Sequence, residues 1–296
     1  MIKKYKNSWI LVTLLFILFF VLFYSSQVLV SVIDYSILFL TKLFPSTFVF
    51  FLLSSLLVEM GIIDFLKMIF PYSAQRFYAF FVSMISGFPS GAKTAVELFQ
   101  KKLISLDSAN NILLYTHFPN PLFLLGSVST LFEDSSYSIR ILLAIFFSNL
   151  SLFICFHKKE TFCDTPQNIS SSFSFSLNQV IQRTFSLIFL IYGTSLFFYL
   201  CSFLLMRIFS FSSIFYVFCN GIFDLTKGVF STSVLPSPLF RAYFILFFIS
   251  FGSLSIHMQV ASILGDSPLS YSYFLLGRVI GSFFAFVFFT VFLLLS

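Results

Sequence analysis

Met84-Ile85-Ser86-Gly87-Phe88-Pro89-Ser90-Gly91-Ala92-Lys93-Thr94 interrupts an apolar run that extends from about Phe77 to Lys101. On either side of the break lie segments of about ten residues. At about 1.5 Å of rise per residue, neither crosses the roughly 30 Å hydrocarbon core of a bilayer. Small residues and a proline at such a break point to a helical hairpin that enters and leaves a membrane on the same side. The stretch comes close to a phosphate-binding loop, but Ala92 separates Gly91 from Lys93 and no strand pattern precedes it. What survives is mechanical: Gly and Ser leave backbone amides uncovered at the start of a half-helix, with Lys93 one turn in. Lys93 then has two readings, a ligand contact or a structural i,i+4 pair with Glu97.

Composition makes lipid the solvent. The chain has 296 residues, 58% hydrophobic and 9% charged, and its mean hydropathy is +1.00. A soluble domain is about a quarter charged, so a surface this poor in charge belongs against acyl chains. The 49 Phe residues need no functional reading, because an apolar ring serves equally on a lipid face or in a core. A net charge of +6 would raise nucleic acid as a partner of a soluble protein. Here the basic residues sit between apolar runs, as membrane topology requires, and no nucleic-acid partner is expected. Cys155, Cys163, Cys201 and Cys219 form no CxxC pair. Neither a metal site nor a cofactor is expected, and the signatures of zinc proteases and serine hydrolases are missing. The chain therefore reads as a non-enzyme.

Outward from the first break, the same kind of interruption recurs. Lys3, Lys4 and Lys6 precede a stretch without charge from Asn7 to Ile33, which reads as a retained first helix (about Trp9 to Val32) rather than a signal peptide. A second run, about Ser36 to Val58, contains Pro45, and an amphipathic connector with Glu59, Asp64, Lys67 and Arg76 follows. After the first hairpin, the run from about Asp107 to Phe132 is broken at Pro119-Asn120-Pro121, and a plain helix covers about Ile139 to Phe156. The order then repeats. A plain helix spans about Arg183 to Met206. A run from about Ser212 to Val234 is broken between Asn220 and Gly228, another from about Leu239 to Leu264 near Gly252-Ser253, and a last helix spans about Tyr271 to Leu295.

The expected architecture is an all-α polytopic membrane protein: two inverted repeats, about seven spanning helices and two re-entrant helical hairpins with interrupted helices. The units are an N-terminal transmembrane helix (1–33), a first repeat (34–157), a cytoplasmic loop (158–182) and a second repeat (183–296). The positive-inside rule puts the N-terminus in the cytoplasm and the C-terminus outside. Lys67, Arg76, Lys101, Lys102, Lys158, Lys159 and Arg183 then join the N-terminal lysines inside, while Arg140, Arg207 and Arg241 fall outside.

Interrupted backbone in a membrane leaves polar groups that have to face a cavity or one another. Half-helix N-termini carry positive dipole ends that suit an anion. The expected substrate contacts are Ser86, Gly87, Ser90, Gly91, Lys93, Asn120, Asp224, Thr226, Ser253 and Ser255 around one central cavity. Lys93 is the main cation expected there. Asp224 and Lys227, at i,i+3, read either as a structural ion pair or as site residues. His117, His257 and Gln259 lie beside the interrupted helices, where either a proton or polar relay or plain helix–helix hydrogen bonding fits.

At these residues the sequence resembles the YlbJ (SpoVV) family of sporulation integral membrane proteins. The stretches that carry the likeness are Phe44-Pro45-Ser46-Thr47-Phe48-Val49-Phe50-Phe51, Ser86-Gly87-Phe88-Pro89-Ser90-Gly91-Ala92-Lys93, Asn120-Pro121-Leu122-Phe123 with Gly126, and Phe251 through Val260. The resemblance implies a nucleoside-recognition (gate) domain similar to concentrative nucleoside transporters, and transport of dipicolinic acid across a sporulation-related membrane. Three positions depart from the family pattern: His117-Phe118 replaces an Asn pair, Asp224 a Glu, and Gly252-Ser253 a Gly pair. Two classes of function remain. One is a secondary transporter of a small anionic or aromatic metabolite, or of a nucleoside, working alone or as a homo-oligomer. The other is a membrane scaffold of a cell-envelope or sporulation complex whose broken helices are only structural.

Overall fold

The computed structural model describes residues 8–70, 73–156, 173–209, 212–265 and 267–295. Lys3, Lys4, Lys6, Lys158, Lys159 and Cys163 lie outside them. Among the described residues all regular structure is helical. The helices are α1 (Ser8–Phe23), α2 (Ser25–Leu38), α3 (Phe44–Glu59), α4 (Ile62–Ile69), α5 (Ala74–Ser86), α6 (Ser90–Gln100) and α7 (Leu106–Tyr115). They continue with α8 (Ser136–Cys155), α9 (Phe173–Ile208), α10 (Ser213–Phe223), α11 (Leu225–Ser231), α12 (Pro238–Phe251), α13 (Leu254–Leu264) and α14 (Tyr271–Leu294).

Among the described residues five helical stretches are long and apolar enough to cross a membrane: Ser25–Leu43, Ser136–Cys155, Leu177–Ile208, Pro238–Leu264 and Tyr271–Leu294. Thr47–Glu59 and Ile62–Ile69, bent by 75°, make a sixth if counted together. The sequence suggests about seven, and the difference has two causes. The expected first span divides at Tyr24, leaving α1 with 16 residues, and helix then continues through Ile33, Asp34 and Tyr35, where the sequence pattern places a boundary between two spans. The run after α6 ends as α-helix at Tyr115 and resumes only as a π-helical turn, Phe123–Val128.

The bend before α4 follows from Gly61, whose φ of +81° costs a residue with a Cβ far more. α4 is amphipathic as expected: Ile63 is buried, Phe65 and Met68 are exposed, and Asp64 pairs with Lys67 at 3.1 Å.

The main core is built by α5 to α8, α12 and α14, with Ile112, Leu124, Ile141, Ile245 and Phe289 fully enclosed. A second, smaller core joins α2 and α3 to α9 through Tyr35, Phe39, Phe51, Ile188 and Tyr199. The outer faces carry Leu22, Leu29, Phe189, Phe283 and Leu294 to the exterior, where acyl chains are the compatible solvent.

Helices α10 and α11 touch backbone to backbone. A Cβ on Gly228 would lie 2.1 Å from the Cα of Gly221. The end of this second pair is tied to the first half of the chain by Arg241, which donates from Nε to the Leu235 carbonyl at 2.6 Å and from Nη1 to the Leu131 carbonyl at 2.9 Å.

Candidate functional site

The turn between α5 and α6, Gly87-Phe88-Pro89, lies against the break that follows α7. The Phe88 amide donates to the Phe118 carbonyl at 2.8 Å. Asn120 Nδ2 reaches the Ser86 carbonyl at 3.4 Å, while its Oδ1 accepts from the amides of Leu122 (2.9 Å) and Phe123 (3.4 Å) and so caps the helix that resumes there. Gly87 has φ +79°, and a Cβ on it would sit 2.6 Å from the Asn120 nitrogen. The hydroxyl of Ser90 donates to the Gly87 carbonyl, and Gly91 packs on Thr116. Ser86, Gly87, Ser90, Gly91 and Asn120 are thus one group of buried polar and backbone atoms.

A second group forms where α10 and α11 meet the α12–α13 break. Asp224 Oδ1 accepts the Lys227 amide at 2.9 Å and caps α11. Its Oδ2 accepts from the Ser255 hydroxyl at 3.1 Å, and Ser255 is 2.9 Å from Ser253. Thr226 is buried in the first turn of α11. One turn further along α13, Gln259 Nε2 donates to the Ser195 hydroxyl at 3.1 Å, while Gln259 Oε1 accepts no hydrogen bond. The Asp224–Lys227 ion pair that the spacing allowed does not form, because the ammonium lies 5.7 Å over the Tyr199 ring.

His117 lies within the first break, and His257 lies on α13 just past the second. His117 Nε2 is 3.0 Å from the Ile249 carbonyl and its ring stacks on Phe88 at 5.0 Å. His257 Nε2 is 3.1 Å from the Phe251 carbonyl, and its Nδ1 bonds the Tyr271 hydroxyl at 2.5 Å. Both rings meet Phe274 edge-on, at 5.5 and 5.3 Å. Both therefore touch one aromatic ring, and among the described residues no hydrogen bond joins the two.

Lys93 joins neither group. Its ammonium donates to the Ser55 hydroxyl and lies 5.7 Å over the Phe51 ring. It opens into a cavity of about 350 Å³ with Ser55, Glu97, Gln100, Lys101 and Arg183 on its walls. The alternative pair with Glu97 gives way to another network: Lys101 reaches Glu59 at 3.1 Å and Glu97 at 3.8 Å, and Arg183 reaches Glu59 at 3.0 Å. Lys93 is left with a hydroxyl and a ring as partners.

Sequence reasoning passed over Arg278. It is 1% exposed and donates to the carbonyls of Leu114 (3.0 Å) and Ser250 (3.3 Å). The available signal was simple, since Arg278 is the only charged residue between Tyr271 and Ser296. Ionisable groups inside a span mark function or pairing by default. Among the described residues no group of three or more His, Cys, Asp and Glu is placed to hold a metal ion.

No protein-family model matches the chain, and no solved structure matches it. Among curated proteins it is similar to the sporulation integral membrane protein YlbJ of Bacillus subtilis (strain 168), with 33% identity over 118 residues, or 37% of this chain. The match covers 29% of that relative's length. Together with the apolar helices, this likeness supports a multi-pass membrane protein with a sporulation-related relative.

Proposed function

We propose that the chain is a secondary transporter of a small anionic or aromatic metabolite, dipicolinate-like, across a cytoplasmic or sporulation-related membrane. The observation that carries this reading is the pairing of each helix–turn–helix tip with an interrupted helix of its own half. The Phe88 amide bonds the Phe118 carbonyl in the first, and the Ser255 hydroxyl bonds Asp224 in the second. Opposed hairpins on discontinuous helices are how membrane carriers expose polar backbone to a solute without exposing it to lipid.

In this reading the two halves are inverted repeats of a nucleoside-recognition type, with the N-terminus cytoplasmic and the C-terminus outside. The chain acts as a carrier rather than an enzyme, alone or as a homo-oligomer. The substrate passes between Ser86, Gly87, Ser90, Gly91 and Asn120 on one side and Asp224, Thr226, Ser253 and Ser255 on the other. Lys93, apart from both groups and facing the cavity that it shares with Glu97, Lys101 and Arg183, supplies the attraction for an anion.

A nucleoside-like carrier is the second reading. The hydroxyls and carboxylate around Asp224 suit a neutral, hydrogen-bonding solute better than an anion. Uptake of radiolabelled dipicolinate and of a neutral nucleoside into proteoliposomes separates the two. Dipicolinate uptake alone supports the first reading and nucleoside uptake alone the second. Uptake of neither, with a correctly folded and inserted protein, returns the scaffold reading.

A further inference from the structure

Where an α-helix stops short inside a membrane, its last carbonyls lose their intrahelical donors and its end carries partial negative charge. Among the helices that stop short in the core are α7 at Tyr115 and α12 at Phe251, one in each half of the chain. Leu114 and Ser250, each one residue before those ends, both give their carbonyls to Arg278.

The guanidinium is suited to this task. Its planar fork carries several donors at fixed angles, so Nη1 and Nη2 serve two acceptors that lie far apart in sequence. It also lies 5.5 Å over the Phe274 ring, which supports a cation in low dielectric. Gly277 lets α14 come close enough for the bond to Leu114, since a Cβ there would stand 2.3 Å from the Leu114 oxygen. An independent contact points the same way. Phe274, one turn before Arg278, touches His117, which lies within the first break, and His257, on α13 just past the second.

We propose that Arg278 is a positioning residue that fixes the inner ends of both interrupted helices to the last helix, so that the two breaks shift together as one body. The proposal is independent of any solute, and a negative uptake assay leaves it standing.

The test is hydrogen exchange on the full chain purified in nanodiscs, comparing wild type with Arg278→Gln, Arg278→Lys and Phe274→Leu. In Arg278→Gln the segments around 115–121 and 250–256 exchange faster together, by about tenfold or more, the scale of one hydrogen bond to a charged group. Helix α8 keeps its wild-type rate. Arg278→Lys, which keeps the charge but not the fork, falls between. Phe274→Leu, a milder change that leaves the arginine in place, raises both segments slightly and equally. Acceleration of only one segment in any variant, or a uniform rise that includes α8, overturns the proposal.

Discussion

The backbone amide of Phe88 and the carbonyl of Phe118 are 2.8 Å apart, a hydrogen bond between the tip of one helix pair and the gap in another helix. Each group would otherwise be an unpaired backbone dipole in a low-dielectric interior, at a cost of several kcal/mol. The bond therefore explains how both interruptions persist, and it makes the turn at Gly87 sensitive to small changes.

Gly87→Ala should destabilise the protein by about 1–3 kcal/mol, because alanine is strained at a φ of +79° and its Cβ meets the Asn120 backbone. Thermal unfolding of purified protein in detergent measures this. An unchanged midpoint would mean that the tip is not held against Asn120.

For Lys93→Gln, dipicolinate binding should weaken by roughly tenfold or more while binding of a neutral nucleoside holds, since a lost charge-assisted hydrogen bond is worth about 1.5–3 kcal/mol. Titration of both ligands against purified protein reads the difference. Unchanged dipicolinate affinity would remove Lys93 from the substrate path.

Asp224 has a capping role and, in the proposed carrier, a substrate role, and two substitutions separate them. Asp224→Ala removes the acceptor for the Lys227 amide and should cost about 1 kcal/mol of stability. Asp224→Asn keeps an acceptor oxygen and most of that stability, yet should still lose uptake. Full uptake by the Asn variant would leave Asp224 as a cap only.

Membrane sidedness can be read from native thiols. Cys155 is exposed at the end of α8, which the proposed topology puts on the cytoplasmic face. A membrane-impermeant maleimide should label inside-out vesicles and spare intact cells. The reverse pattern would invert the topology.

The breaks themselves were legible in the sequence, because Gly, Pro and Asn at Gly87-Phe88-Pro89, Pro119-Asn120-Pro121 and Gly252-Ser253 cannot prolong an apolar helix cheaply. Asp224 was legible as a rare buried acid. Partner choice was not. Spacing along one helix offered Glu97 to Lys93 and Asp224 to Lys227, but Lys93 turns to Ser55 on α3 and Lys227 to Tyr199 on α9. Both choices depend on packing between segments far apart in the chain. The boundary near Asp34 failed for a related reason: one charge does not end a helix, and neither Gly nor Pro stands there to do it.

The contact between Gly221 and Gly228 sets the mechanics of the second helix pair. With no side chain between its arms at that point, the pair cannot be pressed closer, and a Cβ on Gly228 would have to push the arms apart. One edge is clasped by Arg241 through the Leu235 carbonyl. The opposite edge begins at Ser212, in extended backbone with φ −63° and ψ 158°. The Asp224 end is bonded in turn to Ser255, so the pair is moored at both ends, by Arg241 to the Leu235 and Leu131 carbonyls and by Asp224 to α13.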